Sequence, residues 1–170
     1  MLLNKESITL DSADNVLLTG SLRSTGSFAG TPLPTSGEED ILVAKLSGAG
    51  TLAWAIMVGG AGADVGYGLA VDSSDHAWVV GRFHAPLTVA GIPLAGAGFD
   101  DVIVFEVSPA GTPLWGMAAG GSSFDYALEV ASSAAGAPWV TGYFQGVADF
   151  GGTQLSASGG TDIFLWQVEP

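Results

Sequence analysis

Ala77-Trp78-Val79-Val80-Gly81 is a short apolar strand that stops at a glycine, and the chain writes it three times. The other copies are Val16-Leu17-Leu18-Thr19-Gly20 and, one residue shorter, Trp139-Val140-Thr141-Gly142. The terminal glycines stand 61 residues apart, and so do Asp40, Asp101 and Asp162. A period of this length, filled with short β-prone runs and turn residues, predicts tandem copies of one β unit.

Working outward from that strand, each unit opens on a first strand: Ile8-Thr9-Leu10-Asp11, Leu69-Ala70-Val71-Asp72 and Leu128-Glu129-Val130-Ala131. Placing Leu128 opposite Leu69 requires two residues to be lost before it and two gained in the Ser132 to Pro138 turn. A structured loop follows the second strand, with Phe28-Ala29-Gly30-Thr31-Pro32-Leu33, Val89-Ala90-Gly91-Ile92-Pro93-Leu94 and Phe150-Gly151-Gly152-Thr153-Gln154-Leu155 at equal offsets. The third strand comes next, after the repeated Asp, and Lys45, Glu106 and Gln167 share one position in it that is expected to face water. A fourth strand, residues 52–58 or 114–119, closes on Gly59-Gly60 or Gly120-Gly121 and then Asp64 or Asp125. The third unit ends without it, at Glu169-Pro170.

The predicted fold is therefore all-β, a single domain over residues 1–170 with repeats at 7–68, 69–127 and 128–170. Four antiparallel strands per repeat, recurring at fixed period, predict β-propeller blades. Helical solenoids need a 3.6-residue apolar period and β-helix coils a far shorter repeat. Because propellers close with about four to eight blades, three predict an open arc with an apolar face at each end. Self-association, most simply a homodimer of six blades, would cover both faces.

Composition narrows the partners. Four Lys and Arg against seventeen Asp and Glu give a formal net charge of −13, which repels nucleic acid and anionic membranes. The absence of Cys removes disulfides and thiolate chemistry. The N-terminal residues 1–6 lack a basic region followed by a long apolar run, so no signal peptide is read there. Gly, Pro or charge interrupts every apolar run before a membrane-spanning length, and the chain is expected to be soluble.

Candidate sites are sparse. The repeated Asp residues, with Glu38, Glu39 and Asp100 beside them, are expected to hold turns by accepting backbone N–H bonds, as are Asp64 and Asp125. The equivalents Trp54 and Trp115, and Trp78 and Trp139, are expected to pack between repeats. The turns Asp11-Ser12-Ala13-Asp14-Asn15 and Asp72-Ser73-Ser74-Asp75-His76 lack the alternating acids and the glycine of a calcium loop, and Ala131 and Ala134 replace the acids in the third unit. No metal set and no cofactor motif is read. Arg23, His84 and Gln145 occupy one repeat position beyond the second strand, and Ser21, Arg82 and Tyr143 another two residues earlier. Polarity kept in a fixed frame while identity varies marks Arg23, His84, Gln145, Arg82 and Tyr143 as a candidate ligand-binding rim for a glycan or protein. His76 and His84 do not recur, and no Gly-x-Ser-x-Gly elbow or phosphate loop is present, so no catalytic residue is assigned.

The combination of residues 60–64, Leu69 to Asp72, Trp78 to Gly81, and Gly159-Gly160-Thr161-Asp162-Ile163-Phe164 resembles the bacterial SBBP β-propeller repeat family. The third unit departs from it with Ala131 where the others carry Asp11 and Asp72. The resemblance implies blades of a closed ring, exported or cell-surface location, and no catalytic residues to carry over. The function expected is a non-enzymatic scaffold or interaction module that assembles with itself. A carbohydrate-binding propeller is the alternative, and a hydrolase with acids at a central opening a distant third.

Overall fold

A computed structural model describes residues 7–23, 25–132 and 137–170. It is all-β, with no helix among the described residues. The first repeat holds β1 (Ser7–Leu10), β2 (Val16–Arg23), β3 (Gly26–Phe28), β4 (Thr31–Leu33), β5 (Glu39–Leu46) and β6 (Leu52–Val58). The second holds β7 (Val65–Val71), β8 (Ala77–Phe83), β9 (Leu87–Val89), β10 (Ile92–Leu94), β11 (Asp101–Val107) and β12 (Pro113–Gly121). The third holds β13 (Tyr126–Ser132), β14 (Pro138–Phe144), β15 (Val147–Phe150), β16 (Thr153–Ser156) and β17 (Asp162–Gln167).

The main sheets are antiparallel, ordered β1-β2-β5-β6, β7-β8-β11-β12 and β13-β14-β17, and none closes on itself. The equal-offset loop is more ordered than the sequence reading allowed, because it folds into a small hairpin in each repeat: β3–β4, β9–β10 and β15–β16. The third of these adds to the second sheet, where Gly120 and Gly121 of β12 pair with Asp149 and Ala148 of β15.

Two expectations are corrected by the register. Leu69 pairs with Val79, and Val130 pairs with Val140. The equivalent of Leu69 is therefore Val130, not Leu128, and the 61-residue spacing runs through the third repeat without loss or gain. β7 and β13 carry a bulge at the same place, between Gly66 and Gly68 and between Ala127 and Glu129. Lys45 and Glu106 also do not face water: their side chains are only 12% and 17% exposed, Lys45 paired with Asp11 at 2.7 Å and Glu106 lying 2.6 Å from His76 Nδ1, beneath the turn between the first two strands. Gln167 alone of the three is exposed.

Alternation along each third strand sends side chains to both faces, so the middle sheet packs against the repeat before it and the repeat after it. Ile41 and Val43 meet Ile103 and Phe105 in one core, which also buries Leu87, Val89 and Leu94 of the β9–β10 hairpin. Val102 and Val104, on the other face of β11, meet Phe164, with Ala148 and Phe150 of β15 buried beside them. The second and third hairpins thus fill the seam between their own repeat and the preceding one. Leu42 and Ala44 face away from the second repeat and are covered by Leu33 of the hairpin in their own repeat. Trp54 donates from Nε1 to the Pro109 carbonyl at 3.0 Å and lies against the turn at Gly111, tying first repeat to second. Trp78 is buried and meets Trp115 edge-on, ring centres 6.1 Å apart, so Trp54, Trp78 and Trp115 pack as expected, whereas Trp139 is exposed.

Candidate functional site

The loops between second and third strands and the connections from one repeat to the next lie at the same ends of their strands, because the register places Asp101 opposite Phe83 and Val65 opposite Arg82. The predicted rim residues sit here, and a backbone frame fixes them. Asp64, buried, accepts the amides of Gly60 (2.6 Å) and His84 (3.2 Å); Asp125, also buried, accepts those of Gly121 (2.6 Å) and Gln145 (3.1 Å). Asp101 accepts the amides of Ala97 and Gly98, Asp162 that of Ser158, and Asp40 that of Ser36. Burial pushes Asp64, Asp101 and Asp125 above the ordinary carboxylate range, against the pull of these backbone bonds. The turn-holding role expected of the repeated acids holds in all three repeats.

Arg23, His84 and Gln145 each reach the residue just before the repeated Asp. Arg23 Nε donates to Glu39 Oε2 at 3.1 Å, His84 Nδ1 lies 3.0 Å from Asp100 Oδ1, and Gln145 Nε2 donates to Thr161 Oγ1 at 3.3 Å. These three residues thus form one structural staple repeated in three chemistries, each closing the loop of its own repeat. The fixed position with varying identity, read from sequence as a ligand-facing feature, has a structural cause.

Arg82 and Tyr143 belong to a denser group centred on Asp100. Asp100 Oδ1 takes Arg82 at 3.1 Å as well as His84, and its Oδ2 accepts the Tyr126 hydroxyl at 2.7 Å. Arg82 also donates to the Tyr67 hydroxyl (3.1 Å) and the Ala63 carbonyl (3.2 Å), and its guanidinium lies 5.7 Å from the Tyr126 ring centre. Burial works against the Arg82 charge, but Tyr67 and Asp100 outweigh it and raise its pKa. Burial, then the Asp100 bond, raises the Tyr126 hydroxyl; burial raises Tyr143 too. Tyr143 stands 4.8 Å from Tyr126, and beyond it Phe124 stacks on Phe99 at 5.0 Å, with both Phe rings exposed.

The structure therefore gathers Arg82, His84 and Tyr143 around Asp100 and Tyr126, while Arg23 and Gln145 bond within the first and third repeats. Tyr67, Phe99, Phe124 and Tyr126 escaped the sequence reading because they break the period: Val65 stands where Tyr126 does, and Leu128 where Tyr67 does. Asp100 has three donors converging on its two oxygens, which suits a fixed electrostatic hub rather than a base awaiting a proton. The chain matches no protein-family model and no curated protein. The resemblance to propeller repeats rests on its own motif residues.

Proposed function

We propose that the chain is a non-enzymatic scaffold whose repeats are β-propeller blades, and that two copies join head to tail into a ring of six. One observation carries this reading: side chains buried between repeats become exposed at the equivalent positions of the ends. Ile41 and Val102 are both 0% exposed, but their equivalent Ile163 is 84% exposed. Val43 and Val104 are likewise buried, and Leu165 is 69% exposed; Leu17 and Trp78 are buried, and Trp139 is half-open. At the other end, Ile8 is 70% exposed where its equivalent Leu69 is buried. Ile8, Leu18, Leu22, Phe28 and Leu42 line a groove on that face.

Covering Ile163 and Leu165 contributes about 1.5–3 kcal/mol each. In a two-fold ring each copy's open third sheet meets the other's open first sheet, so the second contact forms within an already joined pair. Light scattering at micromolar concentration tests the reading: twice the chain mass is expected, and Ile163→Lys with Leu165→Lys gives the single mass while the far-ultraviolet circular dichroism stays β. A wild-type monomer, or a variant that keeps the wild-type mass, rules the ring out.

The exposed Phe99–Phe124 stack, which continues onto Tyr126, favours carbohydrate binding as a second reading, since aromatic faces take the apolar faces of sugars. Glycan-array binding distinguishes it from a scaffold role.

A further inference from the structure

The turn between first and second strands is built alike in the first two repeats. Asp11 Oδ1 accepts the amides of Ala13 and Asn15, both at 2.9 Å, and Asp72 Oδ1 accepts those of Ser74 (2.8 Å) and His76 (3.0 Å). What sits beneath the turn differs. In the first repeat Asp11 Oδ2 takes the Lys45 ammonium at 2.7 Å and the Asn15 amide at 2.9 Å, a closed and formally neutral group. In the second repeat His76 stands for Asn15 and Glu106 for Lys45. At fixed backbone positions a cation has become a carboxylate and a neutral amide has become an imidazole, with His76 Nδ1 2.6 Å from Glu106 Oε1. One ligand atom from each of Asp72, His76 and Glu106 lies within 4.8 Å of the other two, and all three residues are partly buried.

The geometry points to a divalent transition-metal site made of Asp72, His76 and Glu106, in which a cation such as Zn²⁺ occupies the place that the Lys45 ammonium holds in the first repeat. Two carboxylates and a dication restore the neutrality that Asp11 and Lys45 achieve with one charge each. Zinc takes imidazole nitrogen and carboxylate oxygen at about 2.0–2.2 Å, and three protein ligands leave its fourth position to water. An imidazole among the ligands selects for zinc and its first-row neighbours. Calcium, which takes about six to eight oxygens, is poorly served by the same three groups. The competing occupant is a proton: His76 protonated against Glu106 would give an ion pair that needs no metal.

Isothermal titration of the chelator-treated full chain with ZnCl₂ separates the two. One Zn²⁺ per chain is expected, with no saturable CaCl₂ binding, and a higher thermal midpoint when Zn²⁺ is present. Combining His76→Asn with Glu106→Lys rebuilds the group of the first repeat, so Zn²⁺ affinity should fall at least about tenfold, as expected for loss of ligands, while circular dichroism and solution mass are unchanged. Should that double variant misfold, His76→Asn alone decides by the same loss. Absence of one-to-one Zn²⁺ binding, equal binding of Ca²⁺, or affinity that survives in the folded variants overturns the site.

Discussion

Gly81, where the sequence reading stopped the second strand, lies inside β8, which runs on to Phe83, and a close approach of backbone explains why glycine stands there. A methyl group at Gly81 would lie 1.9 Å from the Val65 carbonyl oxygen, and one at Gly142 would lie 1.9 Å from that of Tyr126. The first strand of the repeat, β7 or β13, bulges across the second strand at this point, so its carbonyl occupies the space of a side chain. Gly81→Ala therefore has to displace a strand shared by two cores. We expect a loss of about 2–4 kcal/mol, the upper part of the range for single substitutions, measured by urea unfolding; a loss below about 1 kcal/mol would mean the bulge relaxes freely.

The small hairpins are the elements on which sequence and structure diverge most, and the cause is local. Period and strand order were legible because apolar runs and glycines recur at one spacing. The hairpin strands are only three or four residues long, and β4 and β10 contain Pro32 and Pro93, so they carry almost no alternation to read. Their turns are legible once the backbone is known: Ala29 and Ala90 have φ of 48° and 52° and precede Gly30 and Gly91 at 81° and 79°, the mirror-image turn that suits a two-residue hairpin. The third repeat has Gly151 at the alanine position. An alanine there holds a left-handed conformation at a steric cost that glycine avoids. Ala90→Gly is expected to stabilise the chain by about 0.5–1 kcal/mol, the gain in strain outweighing the entropy of the freer unfolded glycine. A fall in the thermal midpoint would refute this. The Asp100 group was illegible for a different reason: its aromatic members occur once each, and only the sheet register brings them together.

At the scale of the whole molecule, the chain combines exposed apolar residues on its end sheets with a net charge of −13, and the charge makes stability depend on pH. Two sets of acids act in opposite directions. Asp64, Asp101 and Asp125 have raised pKa values through burial, so the folded chain holds their protons more tightly than the unfolded chain. Their contribution is complete below the ordinary carboxylate value and fades as pH climbs through the raised ones. Burial also works to raise Asp11, but the Lys45 and Asn15 bonds outweigh it and hold it well below the ordinary range, and the Ser12 bonds lower Asp75. Stability from these two is present above the ordinary value and is lost only in stronger acid. As pH falls from neutrality toward the ordinary carboxylate value, the first set takes up protons in the folded chain before the unfolded chain does, and this favours folding. Thermal midpoints followed by circular dichroism should rise as pH is lowered from about 7.5 toward the ordinary carboxylate value of about 4. Screening separates burial from overall repulsion, because about 0.5 M NaCl suppresses the long-range term and leaves buried groups nearly untouched. The rise should persist in that salt and shrink in Asp125→Asn. A rise that salt abolishes would assign the effect to surface charge, and a midpoint that falls with pH would show that the buried carboxylates are ionised without cost.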